Sequence, residues 1–143
     1  AAIHGGAREI NRFLFPSAPD AVLAEELAAT GCEGVIAGHS GIPFLRRLGA
    51  GLWLNAGAVG MPADDGTPRG WFAVLTPEPR RLHVALHAFD YPHAAAAAAM
   101  RAARLPEGYA AALGSGRWPS EDVLPPAERA RRGVPREAAA LVW

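Results

Sequence analysis

Val35-Ile36-Ala37-Gly38-His39-Ser40-Gly41-Ile42-Pro43 is the stretch on which the reading of this chain turns. Three apolar residues in a row, two of them β-branched, predict a strand buried on both faces. Gly38 lets the backbone approach a neighbour closely at the strand end, and Pro43 stops regular pairing. In α/β folds ligands gather outside the carboxyl ends of strands, so His39 is the first candidate for function.

Working outward, Ala1-Ala2-Ile3-His4-Gly5-Gly6 reads as the last residues of a buried strand turning into a loop, with His4 at its carboxyl end. Further sequence is therefore expected upstream. Ser17-Ala18-Pro19-Asp20 predicts a capping box, with Ser17 at the N-cap and Pro19 tolerated in the first turn. Val22, Leu23 and Leu27 then share one helical face, Glu25 and Glu26 are assigned to water, and Gly31 ends the helix. Strand, helix and strand make a βαβ unit. That topology places His4 and His39 at the same end of neighbouring parallel strands.

Beyond Pro43 the pattern is short strands: Phe44 to Leu48, Leu52 to Asn55, Gly70 to Leu75 and Leu82 to Phe89. Gly49-Ala50-Gly51, the loop around Asp64-Asp65-Gly66-Thr67-Pro68, and Thr76-Pro77-Glu78-Pro79 separate them. Asp90 and Pro92 begin a helix that the alanine run carries to Met100. Shorter helices are expected over Glu107 to Leu113 and Pro125 to Arg132. The Gly, Pro and Arg content of the end predicts a tail over 119–143, partly helical or frayed.

A length of 143 residues suits one domain with a real core. Fourteen acidic and fourteen basic residues cancel, all the basic ones being Arg, so no basic field points to nucleic acid or an anionic membrane. Neither a spanning apolar run nor a signal-peptide pattern is evident, and a cytoplasmic setting is expected. Cys32 is alone and is expected to be a buried, inert thiol.

Taken together, His4-Gly5, then Gly38-His39-Ser40-Gly41-Ile42-Pro43, then Trp53-Leu54-Asn55-Ala56-Gly57-Ala58-Val59-Gly60-Met61-Pro62 resemble the C-terminal half of a calcineurin-like metallophosphoesterase. Asp64 to Trp71 and Asp90-Tyr91-Pro92-His93 are similar to a branch of predicted bacterial phosphodiesterases. The resemblance covers residues 1–118. It implies part of a four-layer α/β/β/α sandwich whose N-terminal half is missing, with divalent metals (Mn, Fe, Zn or Ni) at the strand ends and a phosphate ester as substrate. In such sites metal-held hydroxide attacks phosphorus in line.

The resemblance assigns His4 and His39 as ligands of one metal. Gly38, Ser40, Gly41 and Asn55 become the loop and supporting shell around them. Two departures stand out. Gly41 replaces the second histidine of the Gly-His-x-His motif, and the motifs that supply the bridging Asp and the proton donor are not in this chain. It is therefore expected to be inactive alone and to need the missing half as partner. Loss of that half is also expected to leave Val35, Ile36, Trp53 and Leu54 short of packing.

The other histidines read differently. His83 and His87 share a strand face roughly 13 Å apart, too far for one ion, and His93 reads as structural. Asp64 and Asp65 read as loop residues. Two other readings stay open. Gly38-His39-Ser40-Gly41 approaches a serine-hydrolase elbow with Ser40 as nucleophile, although Ile42 stands where the elbow's last glycine belongs. The chain could also be a non-catalytic truncated half-domain.

Overall fold

In the computed structural model, which describes residues 1–143, the apolar run becomes β1 (Gly34–Ala37). It pairs in parallel with β3 (Gly51–Asn55), which pairs antiparallel with β2 (Phe44–Leu48) across a Gly49-Ala50 turn. Gly49 takes φ +61°, a conformation glycine adopts without strain. On the other side of β1, the Ala1–Ile3 segment lies parallel to it through an Ala2–Ile36 bridge.

A second sheet has the order β4 (Gly70–Glu78), β5 (Arg81–Phe89), β6 (Ala140–Val142), all antiparallel. The β4–β5 hairpin turns at Pro79-Arg80, and Thr76, Pro77 and Glu78, expected to separate the two strands, instead continue β4 in register with β5. Pro77 is tolerated there because β4 is an edge strand.

The layers follow from strand alternation. Val35, Ala37, Phe44 and Trp53 face α1 (Asp20–Ala29), packing with Leu14, Leu23 and Leu27. Leu52 and Leu54 point the other way, against Trp71, Val84 and Leu86 of the second sheet. This is a mixed α/β arrangement of one helix and two facing sheets. The second sheet's outer face stays open, with Phe72 and Val74 39% and 43% exposed. Helices α2 (His93–Ala102) and α3 (Glu107–Ser115) pack on each other through Ala97, Ala110 and Leu113. No helix is long and apolar enough to cross a membrane.

Several expectations are corrected here. The capping box does not form. Pro19 is the N-cap with no side-chain cap bond, while the Ser17 N–H donates to Glu128 Oε1 at 2.8 Å. Val35, Trp53 and Leu54 are fully packed, because α1 and the second sheet cover them. Ile36 alone is open, at 39% exposure. It borders a groove of about 420 Å³ toward the amino end of β1, with Leu75, Leu82 and Trp143 among its walls. Thus β1 is not buried on both faces. Cys32 is exposed, since it lies in the turn after Gly31 rather than in the strand.

The segment 119–143 is partly helical, one of the two forms expected of it, and is tied to the rest of the chain. It forms α4 (Pro126–Arg129), buries Leu124 and Glu128, and returns to pair β6 with β5. Buried carboxylates hold it. Asp64 Oδ1 accepts from the Trp118 N–H at 2.6 Å and Arg132 Nε at 3.2 Å. Asp65 Oδ2 accepts from the Arg136 N–H at 3.0 Å, and Arg136 Nη2 reaches Glu128 Oε2 at 3.0 Å.

Candidate functional site

The parallel ladder sets the site. The Ile3 N–H donates to Ile36 O at 2.9 Å, and the Ile36 N–H to Ala1 O at 2.8 Å. The Gly38 N–H then closes on His4 O at 2.9 Å, so the two strands end level. His4 and His39 consequently leave the same sheet end, and their ring centroids lie 4.6 Å apart with planes inclined by 53°.

His39 itself is strained. Its φ is +59°, and the Ser40 N–H donates back to Gly38 O at 2.7 Å, closing a tight three-residue turn around it. A non-glycine residue in this region costs on the order of 1–3 kcal/mol and persists only where neighbours hold it. Asn55 is such a neighbour. From the end of β3 its Nδ2 donates to Gly38 O and to Ser40 Oγ, each at 2.8 Å, while its Oδ1 accepts from the Gly57 N–H at 3.0 Å. Asn55 and Ser40 are both buried, so the loop is fixed from beneath.

Ser40 therefore does not behave as an elbow nucleophile. Its residue is fully buried, and its hydroxyl oxygen is held by an amide rather than by a base. A nucleophile must be presented to substrate and lie within hydrogen-bond reach of a base. The serine-hydrolase reading lacks both.

The donor set fits a metal in part. His39 Nε2 is buried without a hydrogen-bond partner, the state expected of an imidazole nitrogen kept for a ligand. No group of three or more His, Cys, Asp or Glu side chains is arranged to hold an ion, so the pair offers two ligands and no carboxylate. His83 pairs with Glu78 at 3.0 Å and His87 stacks on Phe72, away from this pair. His93 opens α2 beside Tyr91. Asp65 and the Oδ1 of Asp64 are engaged with the chain's own donors, while Asp64 Oδ2 is buried without a partner beneath the Trp118 segment.

Gly41 also adopts positive φ, +65°, and a Cβ there would meet Trp118 Cζ2 at 3.1 Å. The position of the motif's second histidine is thus both left-handed and roofed by an indole. Gly41→His is expected to destabilise the chain by about 1–2 kcal/mol and to add no affinity for Zn²⁺. Urea unfolding and calorimetry on the variant test this. An equally stable variant that binds Zn²⁺ more tightly would show that Trp118 yields.

Sequence reasoning missed the walls of the site. Phe13 lies over His39 with ring centroids 4.2 Å apart and stacks on Phe15 at 5.9 Å. The loop carrying Phe13 is fastened by Glu26, which is buried rather than facing water as expected. Its Oε2 accepts from the Ala7 and Arg8 N–H groups at 2.5 and 3.2 Å, and its Oε1 from Arg12 Nη1 at 2.5 Å. Burial pushes this carboxyl's pKa up. The two backbone donors and the guanidinium outweigh that and leave it below its ordinary 4.5. Residues 5–13 have no periodicity, so only the Gly5-Gly6 pair hinted at a tight loop.

No family model matches the sequence, and no curated protein matches it. Solved structures do. A metallophosphoesterase from Sphaerobacter thermophilus superposes with a TM-score of 0.69 and 26% identity over 80% of this chain and 54% of its own. A hypothetical protein from Pyrococcus horikoshii shares the fold with a TM-score of 0.69 and 17% identity, over 82% of this chain and 46% of its own. The chain spans about half the length of each.

Proposed function

We propose that this chain is the C-terminal half of a metallophosphoesterase-type domain, and that His4 and His39 supply two imidazole ligands to a divalent metal of a phosphate-ester hydrolase. The observation that carries the reading is the juxtaposition of the two rings at a strand end, with His39 Nε2 buried and unpartnered. Similarity to the Sphaerobacter thermophilus metallophosphoesterase over 80% of the chain supports the metallophosphoesterase-type fold on which the reading rests.

Each part of the chain has a task. His4 and His39, both carried on the parallel strand pair, would supply two imidazoles to the ion. Asn55 and Ser40 keep the His39 turn in its strained conformation, so ligand orientation is set before the ion arrives. Phe13 shields His39 from water. A bound divalent metal would supply Lewis acidity toward the phosphate oxygens. Two imidazoles make an incomplete site, and the carboxylates that complete it come from a partner segment, the N-terminal half of the domain. Alone, the chain binds metal loosely and does not turn over phosphodiesters.

Calorimetric titration with Zn²⁺ or Mn²⁺ tests the reading. Weak binding is expected, abolished by His4→Ala and by His39→Asn; asparagine keeps the left-handed turn while removing the imidazole. No hydrolysis of bis-p-nitrophenyl phosphate is expected without added carboxylate-bearing sequence. Tight binding that survives both substitutions would move the site elsewhere and end the proposal.

A further inference from the structure

We infer that the cavity beside His39 receives the flat aromatic part of a phosphate ester, with the phosphate turned toward His4 and His39; the orientation rests on the metal-site reading above. The cavity has a volume of about 440 Å³ and is walled by Phe13, Met61, Tyr109, Trp118 and Val123, with His39 at its edge. That volume falls in the range of about 300–1,000 Å³ typical of small-molecule sites.

Three observations favour an aromatic occupant. First, Phe13, Tyr109 and Val123 are 40%, 47% and 44% exposed, yet all three converge on this one concavity. Apolar surface gathered in a concave place gains most from a ligand that displaces its water. Second, the Trp118 wall is fixed in advance. Its indole N–H donates to Pro62 O at 2.7 Å and its backbone N–H to Asp64 Oδ1 at 2.6 Å, so little ordering remains to oppose binding. Third, the lining contains no Arg, and its one carboxylate is Asp122. A phosphate is repelled there and drawn toward the imidazoles, which leaves the cavity to the uncharged part of the ester. Aromatic walls discriminate in favour of a ring, because stacked and edge-on ring contacts add to simple area burial.

Dissociation constants of phenyl phosphate, isopropyl phosphate and phenol for the 143-residue chain, measured by ligand-observed NMR, test the inference. Phenyl phosphate is expected to bind about five- to tenfold more tightly than isopropyl phosphate, the scale of one ring contact. Phe13→Ala or Tyr109→Ala should bring the ratio close to unity, and Tyr109→Phe should preserve it. Both side chains are substantially exposed, so the alanine variants are expected to fold, which circular dichroism checks. A ratio near unity in the unsubstituted chain overturns the inference, as does a preference that neither alanine variant alters. If phenol and phenyl phosphate both depend on Phe13 and Tyr109 but His4→Ala changes neither metal nor ester binding, the aromatic cavity stands and the metal-site reading is what fails.

Discussion

Asp65→Ala should destabilise the chain by about 3 kcal/mol, the sum expected when several half-buried donors, one of them charged, lose a buried acceptor. The carboxylate is fully buried and accepts four hydrogen bonds. Oδ1 takes the Thr67 N–H at 3.0 Å and the Thr67 hydroxyl at 2.6 Å. Oδ2 takes Arg69 Nη2 at 3.2 Å and the Arg136 N–H at 3.0 Å. Removing it takes the acceptor from half-buried donors on two distant segments at once, and each group left unsatisfied costs about 1 kcal/mol or more. Against a typical total of about 5–15 kcal/mol the loss is large. Asp65→Asn, which keeps an acceptor and loses the charge, should lose less. Urea midpoints for the two variants check the ranking, and a loss below about 1 kcal/mol in Asp65→Ala would mean that the loop repacks. The effect should reach the cavity, because the neighbouring Asp64 holds the Trp118 wall.

Glu26→Ala should cost about 3 kcal/mol, since two backbone N–H groups and a guanidinium lose their acceptor. Its pH dependence has a definite sign. The carboxyl pKa is lowered on folding from 4.5, so its stabilisation is fully present above the unfolded value and is lost as pH falls through the lower folded value. The unsubstituted chain should therefore weaken below about pH 4.5 more steeply than Glu26→Gln, in a difference measured by urea unfolding at stepped pH. Parallel pH profiles for the two proteins would show that Glu26 does not carry the linkage. The loop should loosen first, so the contact of Phe13 with His39 is expected to be lost before the sheets unfold.

Much of the site was legible because its determinants are local. Val35 to Gly38 is a strand followed by a glycine, residues 20–29 are the helix that must cross back, and Ala1–Ile3 is a short apolar lead-in. A parallel crossover of that length has one favoured hand, and it delivers His4 and His39 to one end. The β2–β3 turn and the alternation of β5 were equally plain, since a two-residue turn and a period of two are written in consecutive residues.

What the sequence by itself determined, then, was the βαβ frame, the hairpins and the meeting of two histidines. Tertiary structure alone decided which polar groups are inside and what walls the site. Glu26 looks like a helix-surface residue until the irregular loop of residues 7–12 folds over it. Asp64 and Asp65 look like turn residues until Trp118 and Arg136 arrive from 54 and 71 positions away. The tail looks dispensable until those contacts turn it into a wall, and Gly41 looks merely vacant until Trp118 is seen above it. The physical reason is common to all of them. Periodicity and turn chemistry act over a few residues, whereas burial of a charge is decided by partners that only the folded chain brings within hydrogen-bond distance.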